Sequence, residues 1–136
     1  MNNQKEFNKK LNQTRNNAIL EICSWWGLGN AGYNGAFINS DKGLYTYQYY
    51  QKPDDKNNNY IIKRKELNAK EYNRVITFIE NEILQKKFYD EKILDAGFDV
   101  LVNYNVTKKI IKNNKGLDNN PMIYDNTKKL IDELLK

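Results

Sequence analysis

The stretch of chain from residue 18 to residue 51 most constrains the fold. It opens with an apolar run over 18–26, interrupted by only two polar residues, which has the length of a strand. Five of the seven glycines of the chain lie in the stretch, and the close spacing of the first four excludes a regular helix through them. The middle of the chain is therefore predicted to be β-structure.

A hairpin is predicted inside this stretch, with strands over 35–40 and 44–51 flanking Asp41-Lys42-Gly43. We expect Gly43 to adopt the positive φ that closes the hairpin loop. Alternation along the second strand gives one face three tyrosines, Tyr45, Tyr47 and Tyr49. A half-buried sheet commonly uses such a row to pack against a helix, so we expect core packing there.

The remaining elements are predicted from periodicity and capping. Helices are expected over 2–17 and 69–87 and after Asp125, and strands over 60–67, 98–104 and 108–112. The helix over 69–87 has the clearest start, because Asn68 and Glu71 have the spacing of a capping box. Its apolar stripe is Tyr72, Val75, Ile76, Ile79 and Ile83.

This order of elements indicates an α+β fold. We expect a single antiparallel sheet of about five strands, with two or three helices packed on one face. A chain of 136 residues is long enough to bury one core without disulfides or metals, so residues 1–136 are predicted to form a single domain.

Composition limits the setting in which the protein works. The net charge of +5 comes from a chain rich in lysine and asparagine, a profile that AT-rich codons also produce. A single cysteine fits a reducing compartment, and neither a secretion signal nor a membrane-spanning run is apparent. We therefore expect a cytoplasmic protein that does not associate with membranes.

The chain contains no histidine, which excludes most nucleophilic and zinc chemistry. Cys23 lies in the apolar run without a partner base, so we expect a buried, unreactive thiol. No catalytic residue, cofactor site or metal site is predicted, and the protein is expected to be non-enzymatic.

Two other patterns have weaker chemical interpretations. Gly27-Leu-Gly29-Asn-Ala-Gly32 matches a dinucleotide fingerprint, but no helical pattern follows it, so we interpret it as a loop that lets the backbone bend. Two groups of acidic residues are the remaining source of acid–base or metal chemistry, and the group over 90–99 could hold Mg²⁺, although turn-forming residues in loops explain both groups equally well. These residues are Asp54 and Asp55, and Asp90, Glu91, Asp95 and Asp99.

A partner-binding surface is predicted around the two tryptophans. Adjacent residues of a strand face opposite ways, so we expect Trp25 or Trp26 to lie on the sheet face away from the helices. The exposed tryptophan, together with Tyr33 and Tyr50, would form the surface, and basic residues would flank it. These flanking residues are Lys63, Arg64 and Lys65.

In size and architecture, the chain resembles the small α+β immunity proteins that accompany bacterial polymorphic and contact-dependent toxins, and also small phage-encoded inhibitors. The resemblance implies a non-enzymatic protein that binds and inhibits one macromolecular partner, and the basic charge favours a protein partner with an acidic surface. The alternatives are a nucleic-acid-binding protein, or a nuclease that works without histidine through acid, lysine and tyrosine groups.

Overall fold

The computed structural model describes residues 3–26, 32–50, 59–85, 97–105, 107–112 and 120–136. The helices are α1 Asn3–Thr14, α2 Ala69–Phe78 and α3 Asn120–Leu134. A 3₁₀ turn, Arg15–Asn17, follows α1, and a π-helical turn, Ile79–Ile83, continues α2. The strands are β1 Ala18–Trp26, β2 Gly32–Asn39, β3 Gly43–Tyr50, β4 Asn59–Glu66, β5 Gly97–Tyr104 and β6 Thr107–Lys112.

The six strands form one antiparallel sheet in the order β4-β3-β2-β1-β5-β6. This confirms the α+β class predicted from the sequence. The sheet in the described ranges has six strands rather than about five, because all four strands that precede α2 join it. The apolar run β1 pairs with both β2 and β5, so it is a central strand of the sheet.

Helices cover both faces of this sheet. Ala36 and Ile38 belong to the larger core, which packs beneath α2 and α3, as predicted for two of the helices. Phe37, which alternates with them along β2, packs with Tyr47 and with Leu11 of α1 in a second, smaller core. Helix α1 therefore lies on the face opposite α2 and α3.

The start of α2 agrees with the prediction. The Asn68 side-chain oxygen accepts the Glu71 backbone N–H at 2.8 Å, and the Glu71 carboxylate accepts the Asn68 N–H at 3.0 Å. Val75, Ile79 and Ile83 are completely buried, which confirms the inward stripe. Among the described residues, no helix is both long and apolar enough to cross a membrane.

The end of the same helix differs from a regular α-helix. The Leu84 N–H donates to the Ile79 carbonyl at 3.0 Å, five residues back, which defines the π-helical turn. In an α-helix of 3.6 residues per turn, side chains four residues apart differ by about 40° in direction. In a regular helix, Ile79 and then Ile83 would therefore point progressively further from the direction of Val75, away from the core. The wider π turn counteracts this rotation and keeps Ile83 buried.

The β2–β3 turn corrects one prediction. Lys42, with a φ of 73°, is the residue in the left-handed region, rather than Gly43. The Gly43 N–H donates to the Asp41 carboxylate at 3.0 Å, and Gly43 begins β3. A Cβ at Gly43 would lie 2.9 Å from the Arg64 Nε atom and from the Tyr45 ring, so a larger residue there would require one of these side chains to move.

The last helix begins earlier than predicted. Helix α3 starts at Asn120, so Asp125 lies inside the helix and is not its cap. Pro121 is tolerated in the first turn because its missing N–H has no intrahelical acceptor there. Leu130, Ile131 and Leu134 are buried as expected, whereas Leu135 is 42% exposed rather than inward-facing.

Candidate interaction surface

The predicted aromatic residues lie at one end of four neighbouring strands. In the β-sheet register Trp25 is opposite Tyr33, Tyr33 is opposite Tyr49, and Tyr49 is opposite Tyr60. The adjacent row across the same strands contains Trp26, Gly32, Tyr50 and Asn59. We define the aromatic end of the sheet as the positions Trp25, Trp26, Tyr33, Tyr49, Tyr50 and Tyr60.

The register divides these positions between the two faces of the sheet. Tyr33 shares a row with Trp25, whereas Tyr50 shares the adjacent row with Trp26. Adjacent rows alternate between faces, so a surface that includes both tyrosines wraps around the end of the sheet. The prediction of a sheet face away from the helices is wrong, because α1 packs on the face opposite α2 and α3. The side-chain exposure expected for one of the tryptophans lies outside what the structure describes.

The three flanking basic residues have different surroundings. The Lys63 side chain is exposed and forms neither an ion pair nor a hydrogen bond with any described residue. The Arg64 guanidinium lies 2.6 Å from the Glu66 carboxylate and donates to the Tyr45 hydroxyl at 2.9 Å. The Lys65 ammonium donates to the Leu134 carbonyl near the C-terminal end of α3. Lys63 is therefore the member of the trio best placed to meet a partner.

A buried charged network lies beneath α1, and sequence reasoning missed it. The Glu21 carboxylate accepts a hydrogen bond from the Tyr47 hydroxyl at 2.6 Å and lies 3.1 Å from the Arg15 guanidinium. Burial raises the pKa of Glu21, and the Arg15 charge and the Tyr47 hydrogen bond oppose this only in part. The pKa of Tyr47 is also raised, first by burial and then by the Glu21 charge.

Gly35 allows this network to form. It lies opposite Cys23 of β1 and Tyr47 of β3, and a Cβ there would come within 2.4 Å of the Tyr47 hydroxyl. Because glycine has no side chain, the tyrosine can cross β2 and reach Glu21 on β1. The only signal in the sequence was an acidic residue, Glu21, inside an apolar run.

The contacts of Arg15, Glu21 and Tyr47 indicate that this network stabilises the fold and does not act on a substrate. Glu21 is 5% exposed and Tyr47 is 3% exposed, so a substrate has little access to either group. The Arg15 guanidinium also lies 5.2 Å from the centre of the Tyr47 ring, which places a cation over an aromatic face. The three side chains bind one another and tie the turn after α1 to the sheet.

The other chemical candidates are only partly described. Cys23 is half-buried in β1 rather than fully buried, and its expected low reactivity stays a prediction. Asp54, Asp55, Asp90, Glu91 and Asp95 lie outside the described residues, and Asp99 is in β5 opposite Cys23. Within the described ranges, no group of three or more acidic or cysteine residues could hold a metal ion.

The glycine motif is followed by a strand. Gly27 and Gly29 lie outside the described residues, but Gly32 is the first residue of β2. A dinucleotide fingerprint needs a helix at this point, so that its N-terminal N–H groups can bind the pyrophosphate. The described part of the motif therefore does not fit a dinucleotide site, and the interpretation of the motif as a loop stays a prediction.

Comparison with known proteins found no match to a family model, to a curated protein or to a solved structure. The resemblance to immunity and inhibitor proteins accordingly stays an expectation based on size and architecture.

Proposed function

We propose that this protein is a non-enzymatic inhibitor that binds one macromolecular partner, a protein with an acidic surface, through the aromatic end of its sheet. The observation that carries the proposal is the register, which gathers six aromatic positions from four strands at one end of the sheet. Aromatic side chains provide large contact areas at low entropic cost and often dominate binding energy at interfaces.

Several polar groups that could act as an acid or a base are engaged within the fold. Glu21 and Tyr47 are buried against each other, Glu71 caps α2, and Glu133 pairs with Arg74. A general acid or base must instead be able to reach a substrate proton. These groups are engaged in holding elements of the fold together.

The charge distribution supports an acidic partner. The chain carries a net charge of +5, and Lys63 is exposed near the aromatic end on the edge strand β4. Opposite charges on two proteins speed their encounter and favour the correct partner more than they raise affinity. The basic charge would then act mainly on the association rate.

A nucleic-acid partner is less well supported by the contacts of the arginines. Arginine is the side chain best suited to bidentate phosphate recognition. All three arginines of the chain are instead paired with glutamates, as Arg15–Glu21, Arg64–Glu66 and Arg74–Glu133. The Glu21 carboxylate is buried, so Arg15 is committed to the fold, and only Arg64 and Arg74, which form exposed pairs, are left for a phosphate backbone.

We also propose that the protein acts in the cytoplasm as a single domain. The one cysteine of the chain suits a reducing compartment. The described strands all join one sheet, and the two cores lie on its opposite faces.

Affinity capture from an extract of the source organism tests the proposed function. The tagged protein and the single variants Trp25→Ala and Trp26→Ala serve as parallel baits, and mass spectrometry identifies the captured proteins. We expect one acidic protein that the wild-type bait captures and that at least one variant loses at a nearly unchanged melting temperature. Equal capture by all three baits would contradict the proposal.

The same preparation distinguishes the nucleic-acid alternative. Its ultraviolet absorbance ratio reports bound nucleic acid, and we expect the ratio of protein alone. Capture of nucleic acid, with an affinity that falls steeply as salt is raised, would replace the protein partner with a phosphate-bearing one.

A further inference from the structure

A small hollow adjoins the aromatic end on the face that α3 covers. Its volume is about 210 Å³, and strands β1, β2 and β3 form its floor while α3 forms a wall. Ser24, Asn34 and Gln48 lie side by side across the three strands, two residues from the row of Trp26, Gly32 and Tyr50. Small-molecule sites usually start at about 300 Å³, so this hollow suits one inserted side chain better than a cofactor.

The polar groups around the hollow include several hydrogen-bond donors. The Ser24 hydroxyl donates to the Asn34 side-chain oxygen at 2.7 Å, which leaves the amide N–H groups of Asn34 available. The side chains of Thr46 and Gln48 form no hydrogen bond with the described part of the chain. Amide N–H groups and a hydroxyl are thus available to a ligand in the hollow.

Two lysines and one aspartate determine the charge beside these donors. Lys128 and Asp132 of α3 both line the hollow, and Lys63 lies next to the lining, opposite Thr46 in the register. Lys128 is 3.4 Å from Asp132, and both side chains are more than half exposed. An exposed pair of this kind is weak, so a partner carboxylate can replace Asp132 at Lys128, and Lys63 leaves the surroundings with an excess of positive charge.

We infer that this hollow binds the carboxylate of an aspartate or glutamate side chain on the partner protein. The inference rests on the proposed function and names the chemistry of the partner at that site. A carboxylate accepts several hydrogen bonds at once, and charge-assisted bonds from Asn34, Gln48 and Lys128 are stronger than neutral ones. The size of the hollow limits the ligand to a single side chain.

A titration with small probes tests the inference without the partner. The probes are N-acetylglutamate N-methylamide, which carries one carboxylate, and the neutral N-acetylglutamine N-methylamide. Side-chain amide signals of Asn34 and Gln48 are followed in ¹⁵N-edited NMR spectra. We expect saturable shifts with the glutamate probe and at least about tenfold weaker binding of the glutamine probe.

Matched variants locate the binding. Gln48→Glu places a like charge in the hollow and should weaken the glutamate probe at least about tenfold, whereas Gln13→Glu on the exposed side of α1 should leave binding unchanged. Lys128→Gln should weaken binding, and Lys129→Gln, an exposed neighbour, should not. Gln48→Ala repeats the test with a neutral side chain if Gln48→Glu loses the dispersed spectrum of a folded protein.

Each outcome bears on a separate claim. The carboxylate site would be overturned if the glutamate probe gave no saturable shifts or if the two probes bound equally well. It would also be overturned if Gln13→Glu weakened binding of the glutamate probe as much as Gln48→Glu. If a tryptophan variant loses the captured partner while the titration fails, only the hollow inference is wrong. If the titration succeeds and no partner is captured, the carboxylate site stands and the proposed function fails.

Discussion

Glu21 shows how single residues determine the interior of this fold. A buried carboxylate is costly unless its charge is paired and its oxygens accept hydrogen bonds. Arg15 provides the charge, Tyr47 donates the hydrogen bond, and Gly35 provides the space for the tyrosine to cross between strands. If Arg15 is removed, the buried Glu21 carboxylate loses its opposite charge, and if the Tyr47 hydroxyl is removed, it loses a hydrogen-bond donor.

We therefore expect Tyr47→Phe to lower the free energy of unfolding by about 1 to 3 kcal/mol, because the Glu21 carboxylate loses a buried donor. Urea denaturation monitored by circular dichroism measures the change. The control is Tyr45→Phe, which removes a hydroxyl bonded to the exposed Arg64 side chain and should have a much smaller effect. If both variants lost the same free energy of unfolding, the buried Glu21–Tyr47 hydrogen bond would contribute no more to stability than the exposed bond between Tyr45 and Arg64.

The pKa of Glu21 predicts a pH dependence. Because the folded-state pKa is raised above 4.5, the native protein binds more protons than the unfolded chain between 4.5 and that raised value. The contribution of Glu21 to stability is thus present below about 4.5 and is lost as pH rises through the folded-state pKa.

The Glu21→Gln variant isolates this contribution. The Asn68 backbone N–H lowers the pKa of Glu71, and Arg74 lowers the pKa of Glu133. The stability that these two carboxylates contribute is therefore lost as pH falls, opposite to the effect of Glu21. A comparison of variant and wild type cancels their effect. We expect the free energy of unfolding of the variant, relative to wild type, to increase as pH rises above about 4.5 in urea melts. A flat difference would contradict the raised pKa.

At the residue scale, local sequence could indicate Glu21 but not its partners. Glu21 and Tyr47 are 26 residues apart, and their contact depends on the register of three strands. In the β2–β3 turn, the left-handed conformation falls on Lys42 although glycine adopts it more readily, so residue preference alone did not identify the residue with the positive φ.

At the scale of elements, a substitution in the helix that begins at Ala69 tests whether its apolar stripe packs against the sheet. Ile79 is completely buried at the junction of the α-helix and the π turn. Ile79→Ala should lower the free energy of unfolding by about 2 to 5 kcal/mol through lost burial and a residual cavity. Thr77→Ala, on the exposed side of α2, serves as the control. In denaturant melts, a loss below about 0.5 kcal/mol for Ile79→Ala would mean that the stripe is not packed.

The elements differ in how far sequence could predict them. The capping box of α2 involves residues three apart, so Asn68 and Glu71 were sufficient to locate the start of the helix. The π turn depends on how Ile83 packs against the sheet, which the periodicity of one helix cannot specify. The start of α3 was missed because Asp125 looked like a cap, while Pro121 was already in the first turn.

At the scale of the whole molecule, α1 is expected to be the least stable part of the described fold. It lies alone on one face, and Leu11 is its described buried side chain, whereas α2 and α3 share the larger core. Local opening requires less free energy where few apolar contacts must be broken. Amides of α1 should therefore exchange with solvent at least about tenfold faster than those of the central strands β1 and β2. Hydrogen exchange measured by NMR tests this, and equal protection would contradict it.

The fold class followed from alternation and element order, but the distribution of helices over the two faces did not. An amphipathic pattern shows that α1 buries one side, and it contains no information about which face of the sheet receives it. Four of the six positions of the aromatic end were named from the sequence, namely Trp25, Trp26, Tyr33 and Tyr50. Its division into two rows became apparent only from the strand register.

The affinity of the purified partner for tryptophan variants tests the central claim most directly. Trp25→Ala and Trp26→Ala are compared by isothermal titration calorimetry with wild type and with Met122→Ala, a control at a side chain that is 56% exposed. We predict that at least one tryptophan variant loses about 2 kcal/mol or more of binding free energy at a nearly unchanged melting temperature, while the control binds like wild type. If both tryptophan variants bind within about 0.5 kcal/mol of wild type, or lose stability and keep their affinity, the aromatic end is structural and the proposed interface is wrong.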